Sequence, residues 1–189
     1  YWGEEGPMGS RGLDSGLEIL SLPIPLSAFF FLLFIILPGE SAFYYKKKAE
    51  GFDQLISVGR VVVKDNVHIG ASCTIDKGVT GDTTIGLGTK IDNQVHIGHD
   101  SVIGKNCLIA SQTGIAGCVI IEDDVTLWGQ VGTNSGISIG KGAVILGQTG
   151  VTKSVPGGKT YFGTPITESR AKLKEIAYLK RLMKEKKKG

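Results

Sequence analysis

The chain has 189 residues, 28 of them glycine against six proline, and a formal net charge of +3. That length allows one domain with an appended segment, and glycine without a strict three-residue period excludes a collagen-like rod. Three cysteines, Cys73, Cys107 and Cys118, without CxxC spacing exclude a disulfide framework or a zinc knuckle and fit a reducing compartment.

Residues 1–42 stand apart. The run from Ile19 to Gly39 carries no charge and contains FFFLLFIIL, long enough to span a bilayer. Glu4, Glu5, Asp14 and Glu18 outnumber Arg11 ahead of it, and Pro23 and Pro25 interrupt it, which is not the pattern of a secretory signal. Two readings are left for this segment: membrane contact through residues 19–39, or sequence foreign to the domain that follows.

From Val63 the chain repeats every six residues. Val63, Ile69 and Ile75 begin the series. Four extra residues within DKGVTGDTT shift its frame, and it resumes at Ile85 and runs in steps of six to Val151, aliphatic at every position except Thr133. Two residues before each lies a small or β-branched side chain. A helix cannot use a period of six, so the pattern predicts a parallel β-helix over residues 43–165. Each hexad supplies a short strand with two inward side chains and a corner where Gly, Asn or Asp is tolerated. Three hexads close a triangular coil of eighteen residues, giving about five coils, and the four extra residues form a loop at one corner.

Residues eighteen apart then stack. One outward row reads His96, Gly114, Gly132, Gly150: a histidine at the head of a glycine-floored trough, open to an elongated apolar ligand or a neighbouring backbone. The rows Thr84, Val102, Ile120, Ser138 and Lys90, Leu108, Thr126, Val144 are partly apolar and point to subunit contacts. The next corner stacks His99, Gly117, Ser135 and Lys153. An imidazole there can act as a general base, and Gly117 offers a backbone N–H one coil away, an acyl-transfer constellation. His68, His96 and His99 face different ways, so no metal site is expected. Cys73 and Cys107 read as core, and Cys118 is the one thiol within reach of His99.

After Val155 the period stops. Residues 166–189 hold nine Lys/Arg against three Glu, with Leu173, Ile176, Ala177, Leu179 and Met183 at helical spacing and Thr167 as cap, which predicts a basic amphipathic helix. Such a helix suits an end cap, trimer packing or an acidic partner.

The motifs IGASCTIDKG, IDNQVHIGHD, SQTGIAGC, GQVG, GVTKS and FGTP between Ile69 and Pro165 resemble the hexapeptide domain of the UDP-3-O-acylglucosamine N-acyltransferases of lipid A synthesis. The resemblance implies an all-β, left-handed β-helix with a C-terminal helix. It also implies a cytoplasmic homotrimer without cofactor or nucleic-acid partner, moving a hydroxyacyl chain from acyl carrier protein to the 2-amino group of a UDP-linked, O-acylated glucosamine. On that basis His99 is the general base and Gly117 the oxyanion donor. Asp92 or Asn93 orients the base or the substrate, and His96, Gly114, Gly132, Gly136 and Gly150 line the substrate groove. Gly136 stands where some members carry another histidine, and Gly150 with Thr152 leaves room at the trough's end for a longer acyl chain. No uridine-binding domain is recognisable in residues 1–42. The competing readings are a related sugar O-acyltransferase or acetyltransferase and, outside enzymes, an inactive or structural β-helix.

Overall fold

Two inward side chains and one tight corner per six residues allow strands of two or three residues to stack without a sheet of ordinary width. The computed structural model describes residues 36–186. Its centre is a parallel β-helix with three faces. One runs through Ile36–Glu40, Cys73–Asp76, His96–Ile97, Gly114–Ile115, Gly132–Thr133 and Gly150–Val151. The second runs from Val61–Val63 to Ser138–Ile139, and the third from His68–Ile69 to Thr160–Phe162. Partners along the stack are eighteen apart, Val102 on Ile120 and Leu108 on Thr126. Across the DKGVTGDTT insertion the same faces stay in register, Val63 on Ile85 and Thr74 on His96, so the extra residues bulge as a loop and leave the rungs undisturbed.

The inward row is the core. Ile75, Ile85, Ile97, Ile109, Ile115, Leu127, Ile139 and Ile145 are all at 0% exposure, each contributing roughly 1.5–3 kcal/mol of apolar burial. Thr133, the one polar residue of that row, accepts a hydrogen bond from Ala116 N–H at 3.0 Å. Ser101 and Thr89, in the second inward row, bond backbone groups of adjoining rungs and so enter the interior satisfied. Cys73 and Cys107 are buried, as their inward positions predict.

The stack is longer at both ends than the hexad count indicates. Ile36–Glu40 pairs in parallel with Cys73–Asp76, upstream of the boundary at residue 42, and Thr160–Phe162 pairs in parallel with Val144–Ile145 after the period has lapsed. Neither segment keeps the hexad rule: Ile36–Glu40 has a neighbour on one side only, and Thr160–Phe162 meets an antiparallel strand instead of a further coil on its outer side. Between the first rung and Val61 the chain makes an excursion that periodicity could not reveal: an antiparallel hairpin, Tyr45–Lys48 against Gly51–Gln54. The apolar run beginning at Ile19 lies outside the described residues up to residue 35; among the described residues no helix is long and apolar enough to cross a membrane. The C-terminal helix spans Ser169–Lys186, two residues past the Thr167 cap, since Thr167–Glu168 first forms an antiparallel strand on Tyr161–Phe162. It leaves Leu173, Tyr178, Leu179 and Met183 exposed on a single chain.

Candidate active site

The outward row falls as expected: Thr74, His96, Gly114, Gly132 and Gly150 lie in register on one face. A methyl group added at Gly114 or Gly132 would meet nothing within 4 Å, so the trough floor is open there. Gly150 differs. Thr164 sits over it, accepting its N–H through Oγ1 at 3.0 Å, and a Cβ on Gly150 would lie 2.9 Å from that oxygen. The trough therefore ends against Thr164, and the extra room expected at Gly150 is taken by the chain's own turn. At the other end, His96 Nδ1 hydrogen bonds with Thr74 Oγ1 at 2.8 Å, and its Nε2 lies 4.0 Å from Asp76 Oδ2.

His99 occupies the corner at one edge of this face and is the most constrained of the three histidines. Its Nδ1 is 2.8 Å from Asp100 Oδ2. With Asp100 ionised, Nδ1 carries the proton and Nε2 is left as the acceptor. The ring lies flat over the next coil: a Cβ on Gly117 would fall 2.5 Å from His99 Nε2, so no residue but glycine leaves the imidazole that place. Cys118 N–H donates to His99 O at 2.7 Å and fixes the rung spacing. Gly117 N–H itself makes no hydrogen bond among the described residues.

Asp100 is the residue that sequence reasoning missed, although it directly follows the histidine. Its carboxylate also accepts N–H bonds from Val79 at 2.9 Å, Thr80 at 3.1 Å and Gly81 at 2.7 Å. Burial alone would raise its pKa. The bonds from Gly81, His99, Val79 and Thr80 outweigh burial and hold the carboxyl at about 2. The DKGVTGDTT loop thus serves the site: it supplies the donors that keep Asp100 charged and in place. Tyr44, just ahead of the hairpin, was missed as well. Its ring meets His99 edge to face with centroids 5.5 Å apart, and with Phe43, Tyr45 and Phe52 it lines an apolar hollow.

Asp92 and Asn93 do not join this group. They turn the corner at the other edge of the face, where Asn93 Oδ1 accepts Ala71 N–H at 2.8 Å and Asp92 Oδ1 accepts Asn93 N–H at 2.7 Å. The carboxylate that holds the His99 ring is that of Asp100 instead. Gly136 stacks below Cys118, with its N–H on Gly117 O and a left-handed φ of 68°, exposed at the corner.

Comparison with known proteins agrees with this architecture. The family "Bacterial transferase hexapeptide (six repeats)" matches residues 82–117. A UDP-3-O-acylglucosamine N-acyltransferase from Methylobacterium sp. (strain 4-46) is 44% identical over 144 residues, 76% of this chain and 41% of the relative. The enzyme of that name from Caulobacter vibrioides (strain NA1000 / CB15N) is 47% identical over 144 residues, covering 76% and 42%. Among solved structures, the Francisella novicida UDP-N-acetylglucosamine acyltransferase superposes with a TM-score of 0.62 at 30% identity, over 69% of this chain and 47% of that one. The Bacteroides fragilis UDP-N-acetylglucosamine acyltransferase does so with 0.63 at 25% identity, over 70% and 50%. The chain spans about two fifths of the length of the curated relatives it matches. Residues 82–117 of its β-helix match the bacterial transferase hexapeptide repeats, and 144 residues of the chain are homologous to part of the UDP-3-O-acylglucosamine N-acyltransferases.

Proposed function

We propose that this domain catalyses acyl transfer to an amine, with acyl carrier protein as donor and the 2-amino group of a UDP-linked, O-acylated glucosamine as acceptor. The observation that carries the reading is the pairing of an Asp100-oriented imidazole, its Nε2 open, with the unengaged N–H of Gly117 directly beneath it. His99 Nε2 removes a proton from the attacking amine as nitrogen bonds to the thioester carbonyl carbon. The carbonyl oxygen becomes an oxyanion, which Gly117 N–H stabilises. The tetrahedral adduct collapses by breaking the C–S bond, and the imidazolium returns its proton to the departing sulfur. Asp100 stabilises that imidazolium and keeps Nε2 facing the substrate.

The glycine-floored trough from His96 to Thr164 takes the acyl chain, with His96 and Gly136 at its margins. The aromatic hollow beside Tyr44 adds a second apolar wall. Exposed Val102 (43%), Leu108 (44%), Ile120 (48%) and Trp128 (46%) on the other faces, together with the apolar side of the C-terminal helix, suit a homotrimer. The basic flank of that helix suits the acidic carrier protein.

The test is transfer from a hydroxyacyl carrier protein to the UDP-linked amine, measured on this chain and on the chain joined to the upstream part of a curated relative. Transfer that depends on His99 supports the reading. Activity that survives His99→Ala in both forms would overturn it.

A further inference from the structure

We propose that His99 and Cys118 form a site for an exchangeable thiophilic cation of the zinc and cadmium class, with Asp100 as the carboxylate behind the histidine. An imidazole nitrogen of His99, the Cys118 sulfur and an Asp100 oxygen all lie within 4.8 Å of one another. Their roles separate by what each has left to give. Asp100 already accepts N–H groups from Val79, Thr80, Gly81 and His99, so it orients the ring and does not bind the ion. A metal-bound histidine ordinarily has its second nitrogen held by a carboxylate, which is the arrangement of Nδ1 and Asp100 here. Nε2 is the open nitrogen, and the ring that carries it lies face-on over Gly117, the residue before Cys118.

Cys118 stands on the corner with a left-handed φ of 59° and an exposed side chain, unlike the buried Cys73 and Cys107. Nitrogen and sulfur on one tetrahedral zinc ion lie roughly 3.5 Å apart. Binding therefore requires the exposed thiol to close on the imidazole from within 4.8 Å, the movement that a change of side-chain rotamer supplies. Two protein donors leave positions for water, which defines an ion that comes and goes and not a structural one. Burial and the nearby Asp100 carboxylate push the Cys118 thiol up, so it is protonated when unliganded. On binding, the S–H proton passes to solvent and the thiolate bonds to the metal.

The ion would occupy the Nε2 lone pair that accepts the substrate proton, so occupancy and turnover exclude each other. Metal binding stands on the geometry alone, and only this inhibition rests on the acyltransferase reading. The experiment is titration of metal-free protein with cadmium, followed by the ultraviolet thiolate-to-cadmium absorption, with zinc as competitor. One equivalent is expected in the wild type, no absorption with Cys118→Ser, and at least tenfold weaker binding with His99→Gln. Asp100→Asn should weaken binding roughly 10–100-fold, the usual effect of losing a partner behind a ligand. No absorption in the wild type, absorption that persists in Cys118→Ser, or undiminished affinity in His99→Gln would overturn the proposal. In the transfer assay, zinc should inhibit the wild type at a concentration at least tenfold below that needed for Cys118→Ser. Absorption without inhibition would uphold the cation site and remove His99 from the role of base.

Discussion

The two corners that bound the glycine-floored face follow the same backbone rule and end in different chemistry. At one, Gln94, Gln112, Gln130 and Gln148 repeat down the stack, all with φ near 60°. Gln112, Gln130 and Gln148 each donate a side-chain N–H to the Oε1 of the glutamine one coil before, at 3.0, 2.7 and 2.9 Å. At the other, Asp100, Cys118 and Gly136 take the equivalent left-handed positions, preceded by His99, Gly117 and Ser135. The glutamine corner spends its polar groups on itself. The histidine corner breaks the repetition and is left with an open imidazole nitrogen, an unengaged N–H and a thiol. In a repeat fold the departures from the repeat are where function can be placed, because the rungs hold their positions whatever stands there.

Substitutions at the two corners should therefore divide cleanly between activity and stability. The largest effect is expected from His99→Ala, which should lower acyl transfer about 10²–10⁴-fold with an unchanged melting temperature. Gly117→Ala comes next. Its methyl would fall 2.5 Å from Nε2, displacing the imidazole and crowding the oxyanion position, and the loss of turnover should be roughly 10²–10³-fold.

Asp100→Asn should cost at least about tenfold in turnover, and it carries a stability signature too. The folded pKa of Asp100, about 2, lies below the ordinary 3.8, so its ionised form stabilises the fold above pH 4. That contribution is lost as pH falls through 2. Urea unfolding at graded pH should show an acid-side decline in the wild type that is smaller in Asp100→Asn.

Tyr44→Ala should lower turnover by roughly 2- to 10-fold, the worth of one aromatic pair, while Tyr44→Phe stays near the wild type. NMR of the His99 ring protons would register the lost contact independently of activity. The smallest effect is expected at the glutamine corner. Gln130→Ala removes two ladder bonds and should destabilise by about 1–2 kcal/mol in urea, with transfer unaffected. A Gln130 variant as impaired in turnover as Asp100→Asn would erase the distinction between the corners.

The stack of coils could be read almost entirely from residue spacing, since Ile85 to Val151 obey one rule and every predicted outward row is found in register. The loop at DKGVTGDTT was also visible, as a slip of four residues in that rule. Its purpose was not, because nothing in spacing shows that Val79, Thr80 and Gly81 turn their N–H groups onto Asp100. Tyr44 was hidden for a related reason: it lies in an excursion whose place on the helix depends on Ile36–Glu40 pairing with Cys73–Asp76 across the whole hairpin. The expectation that Asp92 or Asn93 orients the base or the substrate came from resemblance, and their own hydrogen bonds place them in the corner away from His99.

Because each rung of the parallel stack touches only the rung before and the rung after, the domain behaves as a nearly one-dimensional lattice. Opening starts at the ends and travels inward, so protection of backbone amides against hydrogen exchange should rise from Ile36 and from Phe162 toward the middle. His99 and Gly117 sit on adjoining coils in that middle. A chain that frays a coil at either end would keep His99 and Gly117 aligned, and this corner would be among the last parts of the molecule to lose its shape.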